Sequence, residues 1–424
     1  MNPTTLQIIG AILFAVAILH TFSVGFLTRL AERYPSHAGL CELFAEVEFV
    51  FGFWAGILLV FIALTAIGTE EGSFHAVVGY LEKRDFTEPL FVLAIMIVAA
   101  SKPVLLFASA VVQNISRLLP MPRAVAFYFT VLTVVPLLSS FITEPAAMAL
   151  AAMILREAYY RKAMSSRLMY ATIGVLFVNI SIGGTLTTFA APPVLMVAKT
   201  WQWDNWFMLT HIGWRSALAV LVNALVVSLI FRRELLRFEI EGHSEHSSVP
   251  VLVIVLHLAL LGLIVLFSHH PHVFIVILLL FLAFAHAYPR FQDHLILRES
   301  LMVSCFLAGL VTLGGQQAWW LKPLLHTMSS TTVYYGATAL TAVTDNAALT
   351  YLGSLVEGLS DEFKHALVTG AVTGGGLTVI ANAPNPAGIS ILQKHFKGGK
   401  VSPLGLLAAA ALPTLVTIAA FRLL

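Results

Sequence analysis

Glu144 and Asp345 stand in the middle of otherwise apolar stretches, in Thr143-Glu144-Pro145 and Thr344-Asp345-Asn346, and each triplet is followed by two alanines. A shift of 201 positions lays one segment on the other. An ionisable side chain inside a bilayer costs at least about 2.5–3.5 kcal/mol on insertion scales, so such a residue marks a functional position by default. Two carboxylates converging on one site repel an anion and attract a small hard cation such as Na+ or Li+. Desolvation and mutual repulsion also favour their protonated forms. A carboxylate that takes either a proton or a metal ion, but not both, is the minimal device for exchanging one for the other. The alternative is that one of the two merely caps a hairpin helix.

A second pair of segments supplies neutral donors. Gly183–Pro193 (GGTLTTFAAPP) and Gly374–Pro384 (GGGLTVIANAP) are related by a shift of 191, with six of eleven positions identical. Gly183-Gly184 and Gly374-Gly375-Gly376, each followed by prolines, are expected to unwind a helix in mid-membrane, which is tolerated only inside protein or beside a water-filled cavity. The freed carbonyls and the Thr185, Thr187 and Thr378 hydroxyls suit a small cation, whereas exposed helix N-termini suit an anion. Asn179, Ser181, Asn346, Asn382 and Asn385 add polar atoms at the breaks, either lining the site or capping half-helices. Ser139 and Ser140, one turn before Glu144, are weaker candidates. Lys102, followed by Pro103, is a third buried charge, either a counter-ion to Glu144 or Asp345 or part of a fixed ion pair. Glu42, Glu46 and Glu48 read as a solvated face, with an ion-admission funnel as the alternative. The fifteen histidines, including His243 and His246, carry no zinc-protease spacing. His20 and His257 are expected to make hydrogen bonds between packed helices.

The elements that must position these residues follow from composition. The chain has 424 residues, 58% hydrophobic and 11% charged, with a mean hydropathy of +0.88. Soluble domains carry roughly a quarter charged residues, so this is an all-α polytopic membrane protein. A net charge of +2 excludes a nucleic-acid partner. Cys41 and Cys305 suggest neither a disulfide nor a zinc framework. A bilayer core needs roughly 20 apolar residues per helix, and runs of that kind lie near 5–28, 47–68, 89–114, 168–200, 208–231, 250–267, 272–288, 299–316, 363–396 and 402–423. The segments 126–157 and 330–357, which hold the two acids, read as re-entrant hairpins. That choice puts 16 of the 24 basic residues in cytoplasmic loops and acids such as Glu70 and Glu71 outside, as the positive-inside rule expects. The expectation is therefore ten spans and two hairpins in two repeats of opposite orientation. Residues 1–231 hold hairpin 126–157 and broken helix 168–200, 232–249 form a cytoplasmic linker, and 250–424 hold hairpin 330–357 and broken helix 363–396.

Ser181–Val194 and Gly374–Pro386 resemble the broken-helix motif of the ion transporter superfamily of secondary carriers. The closest resemblance is to a bacterial family of sodium/proton antiporters of about this length. The resemblance implies inverted repeats, no cofactor beyond the transported Na+ and H+, a bacterial inner-membrane location and a homodimer. The dicarboxylate carriers of that superfamily have Ser-Asn-Thr at their hairpin tips, and the acids here depart from that pattern toward cations. Cation/proton antiport by alternating access is the expected function, and sodium-coupled carriage of a small anion is the alternative. No GxxxxGK[ST], GxSxG or HExxH motif points to an enzyme.

Overall fold

The computed structural model describes residues 3–68, 72–162, 164–240 and 249–424, and among them every regular element is a helix. Glu70, Glu71, His243 and His246, with the side chains of Arg29 and Glu42, lie outside the described residues. Besides two short helices at Val24–Arg33 and Ala38–Ala45, the first part of the chain holds α1 (Thr5–Thr21), α2 (Val47–Thr65), α3 (Gly72–Glu82), α4 (Thr87–Ala99) and α5 (Lys102–Leu118). There follow α6 (Arg123–Ile142), α7 (Glu144–Leu155), α8 (Ser166–Gly183), α9 (Pro192–Trp201) and α10 (Trp214–Ile230). Beyond the polar segment come α11 (Val251–Leu266), α12 (Pro271–Ala287), α13 (Leu297–Gly314), α14 (Ala318–His326), α15 (Ser330–Thr341), α16 (Asn346–Ser354), α17 (Asp361–Gly374), α18 (Asn385–Leu392) and α19 (Pro403–Leu423).

Local chemistry fixes many of these boundaries. Thr4 and Gln7 form a reciprocal capping box at α1. Ser165, Ser360 and Ser402 accept backbone bonds at the starts of α8, α17 and α19. Prolines open α9, α12 and α19, where the missing N–H costs nothing.

Six described helices are long and apolar enough to cross a membrane: Glu48–Thr65, Arg123–Ile142, Ser166–Leu186, Asn205–Ile230, Leu297–Gly314 and Pro403–Leu423. A bent pair, α4 and α5, makes up to seven, and α1, α11 and α12 are apolar but shorter. One reading of the sequence changes here. The run 89–114 is not one straight helix, because it breaks at Ala100-Ser101 and bends by 67°, with Pro103 in the first turn of α5. Within 126–157 the two arms differ: α6 has 20 residues and passes the length test for a span by itself, and α7 has 12.

One order of elements occurs twice. A helix pair turning at an acid, α6–α7 and α15–α16, precedes a helix interrupted by non-helical backbone, α8–α9 and α17–α18. Each pair packs against its own broken helix, α6 on α8 and α15 on α17, and the halves also cross: α7 packs on α18 and α9 on α16. The two breaks and the two acidic turns thus share the buried middle of the molecule. Helices α1, α2, α4 and α13 pack beside them, with α11 and α12 outside α4.

Candidate functional site

Thr143 makes the first turn. Its φ of 70° and ψ of 152° lie in a region that glycine occupies and threonine avoids, at a cost of order 1–3 kcal/mol. This sharp reversal makes Glu144 the first residue of α7, so its side chain enters the interior rather than capping the helix. Glu144 is fully buried. Its Oε2 accepts a 2.7 Å hydrogen bond from Asn382 Nδ2, in the break of the other half, while Oε1 has no hydrogen-bond partner. That oxygen lies against Gly184, where a Cβ would come within 2.6 Å of it. The glycine is required because the carboxylate occupies the space of a side chain.

Asp345 is built differently. It is the N-cap of α16, accepting from the amides of Ala347 at 2.7 Å and Ala348 at 3.3 Å, and it is partly accessible. The reading in which one acid caps a hairpin helix therefore describes Asp345. It stands close enough to Glu144 for the two charges to repel, with Glu48 of α2 also near it. Glu46 is paired with Arg298 at 2.7 Å. Thr344, beside the cap, is half-buried and donates to the Leu340 carbonyl.

The residue after each acid matters as well. Asn346 is fully buried, donates its amide to the Ala381 carbonyl at 3.2 Å, and leaves both side-chain polar atoms without a partner. Gly375 makes room for it: a Cβ there would sit 2.9 Å from Asn346 Nδ2 and would strike Ser181 Oγ. Asn385 Nδ2 donates to the carbonyls of Gly375 and Thr378, both at 2.8 Å, and its Oδ1 is unpartnered. Asn382 Oδ1, Thr143 Oγ1 and Thr341 Oγ1 are also buried without partners. Each such atom costs about 1–3 kcal/mol, and native proteins concentrate such exceptions where something else completes the bonding. Glu144, Asn346, Asn382 and Asn385 thus offer one carboxylate and three amide oxygens, hard donors of the kind alkali and alkaline-earth cations take. Among the described residues no group of three or more His, Cys, Asp or Glu could hold a metal ion.

The threonines serve as fasteners. Thr187 donates to the Ser140 carbonyl at 2.7 Å, and Thr378 to the Ala342 carbonyl at 2.8 Å, so each break is tied to its own turn. Ser140 completes the first tie, donating to the Gly183 carbonyl and accepting from the Leu186 amide. Thr185 faces α10 instead, sharing a 2.7 Å bond with Ser216. Gly183 packs on the Pro136 carbonyl and Gly376 on the Val178 backbone, so both are packing positions. Asn179 bonds Leu132, Val220 and Asn223 between helices.

Lys102 does not join the acids. The break at Ala100-Ser101 puts it at the start of α5, where Nζ reaches Asp293 at 3.1 Å with the lysine side chain about a third exposed. The counter-ion reading is corrected accordingly: the partner is Asp293, from the loop before α13, a pairing across 191 positions that no local pattern announces. His20 bonds the Phe44 carbonyl and Trp54, and His257 bonds Val253 and Gln292, both as helix-packing residues.

A family model described as "Putative Na+/H+ antiporter" matches residues 5–424. No curated protein matches the chain.

Proposed function

The chain belongs to this antiporter family, and on that premise we propose that it exports Na+ or Li+ in exchange for H+ across a bacterial inner membrane. The observation that carries the reading is Glu144: fully enclosed, with one oxygen held by Asn382 from the opposite half and the other directed at Gly184 without a partner. A carboxylate so placed is stable either protonated or beside a cation, and the two states exclude each other. The amide oxygens of Asn346, Asn382 and Asn385 complete the cation's shell, and Asp345 fixes the second turn while adding negative potential. Protons arriving from outside neutralise Glu144 and release the metal.

The repeated order of acidic turn and broken helix, together with its crossed packing, supports two inverted repeats over 1–231 and 250–424 joined by the 232–249 linker. In this reading ten spans and two re-entrant hairpins move the site between faces by alternating access. The superfamily resemblance implies a homodimer.

The test is proton flux in sealed proteoliposomes with an imposed pH gradient and additions of Na+, Li+, K+ and Ca2+. Na+ or Li+ should collapse the gradient in the unaltered protein and in neither case with Glu144→Gln. Asp345→Asn keeps a good N-cap while removing the charge, and should slow exchange without unfolding the protein. No response to any cation, or undiminished flux with Glu144→Gln, would refute the proposal.

A further inference from the structure

A cavity of about 310 Å3 lies between the start of α4, helix α9 and the loop after α11, lined among others by Glu88, Thr188, Phe189, Lys199, Trp203 and His269. It lies apart from the Glu144 cluster. We propose that it is a vestibule that gathers small cations for the buried site, with Glu88 as its acceptor. The inference rests on the cation-exchange reading for its purpose.

The charge arrangement points to a cation. Glu88 sits in the first turn of α4 and makes no ion pair among the described residues, because the ammonium beside it, Lys199, is bonded to Asp85. Two carboxylates therefore face one ammonium, and the unpaired one belongs to the cavity wall. A carboxylate in a cleft with low-dielectric walls focuses its field and enriches counter-ions by about 10- to 1,000-fold. Thr188 adds a hydroxyl, which donates to Asn205 Oδ1 at 3.1 Å and keeps lone pairs to offer.

One wall of the cavity is shared with the break beside the buried site. Phe189 stands in the same break as Gly184, the residue against Glu144 Oε1. Its ring meets Phe91 of α4 edge to face, with centroids 6.4 Å apart, and both rings are buried. Both rings line the cavity. Phe189 belongs to the break itself, so any rearrangement of the break that changes Glu144's surroundings also moves this part of the cavity wall.

The experiment is charge-selective labelling of Thr188→Cys in a chain carrying Cys41→Ser and Cys305→Ala. Cationic, anionic and neutral thiol reagents of equal size are applied from the outer face of intact cells. The cationic reagent should react about tenfold faster than the anionic one, and Glu88→Gln should bring that ratio toward unity while Glu88→Asp restores it. The neutral reagent should react equally with all three, which also certifies that the variants are folded. A charge ratio near one in the parent, a ratio indifferent to Glu88→Gln, or no labelling by the neutral reagent would overturn the vestibule. Labelling needs no turnover. A chain that labels as expected but exchanges no cation therefore keeps the vestibule and loses the antiport reading, and charge-indifferent labelling with intact exchange does the reverse.

Discussion

Gly184→Ala is the sharpest test of the Glu144 geometry. The added Cβ would lie 2.6 Å from Oε1, 2.9 Å from Glu144 Cγ and 3.2 Å from the Ala191 Cβ, and ordinary contact begins at 3.4 Å. Oε1 must therefore retreat by about 0.8 Å to reach ordinary contact, and a carboxylate turned by that much loses the geometry of its 2.7 Å bond from Asn382. A hydrogen bond to a charged group contributes about 1.5–3 kcal/mol, and about 1.36 kcal/mol is tenfold in an equilibrium constant. The apparent KM for Na+ should rise about ten- to a hundredfold, with a smaller loss of maximal rate. The assay is cation-dependent collapse of a pH gradient in proteoliposomes, titrated with Na+, beside a thermal melt in detergent. Gly262→Ala, where nothing lies within 4 Å of the new carbon, is the control. A folded Gly184→Ala protein with KM within twofold of the parent would refute the claim that Glu144 Oε1 and Asn382 form the cation site.

Two further outcomes follow from the same geometry. Thr143→Gly removes the penalty of a threonine at φ 70°; after glycine's own entropic cost of about 0.5–1 kcal/mol the net gain is about 1 kcal/mol, read as a melting midpoint about one or two degrees higher, and a lower midpoint would show that the turn is not strained. At Asp85, burial raises the carboxyl and the Lys199 bond lowers it, leaving it below the ordinary range. A depressed value means that the ion pair's contribution is complete above the ordinary carboxylate range and fades only as pH falls through the lowered one. Asp85→Asn should therefore leave the shape of the pH profile of exchange unchanged between about pH 6 and 9, and a displaced profile would make this pair part of the proton path.

The helical class and the two acidic turns were legible in the sequence because they rest on local signals, an apolar background and a paired echo of residue types. Asn382 was legible for the same reason, as an amide at a glycine-proline break. The inequality of the two acids was written there too, in chemistry that the pairing of the segments obscured. Aspartate is a strong N-cap residue and glutamate is not, so Asp345-Asn346-Ala347-Ala348 announces a cap, while Glu144 followed by Pro145 does not. Lys102 misled because its neighbours are apolar. What decides its partner is the 67° bend at Ala100-Ser101 and the approach of Asp293, both products of tertiary packing. Glu88 and Thr188 gave no signal, since a cavity between three separate elements leaves no mark on any of them.

The fastenings around the site also limit how it can move. Thr187 to Ser140 and Thr378 to Ala342 clip each break to its own turn. Asn346 to Ala381 adds a second tie within the later half, while Asn382 to Glu144 and Ser181 to Val372 clip each half to the other, and the packing of α7 on α18 and of α9 on α16 runs alongside those bonds. A motion that slid one acidic turn past its break would break several buried hydrogen bonds at once, each leaving atoms with no water to replace the lost partner. A rotation of all four elements together breaks none of them. Under alternating access the moving body is therefore the pair of turns with the pair of broken helices, and the shear falls at its boundary with the flanking helices. On the proposed exchange mechanism Glu144 and its amide neighbours would then travel intact, and a cation held by them would keep its ligands while changing sides.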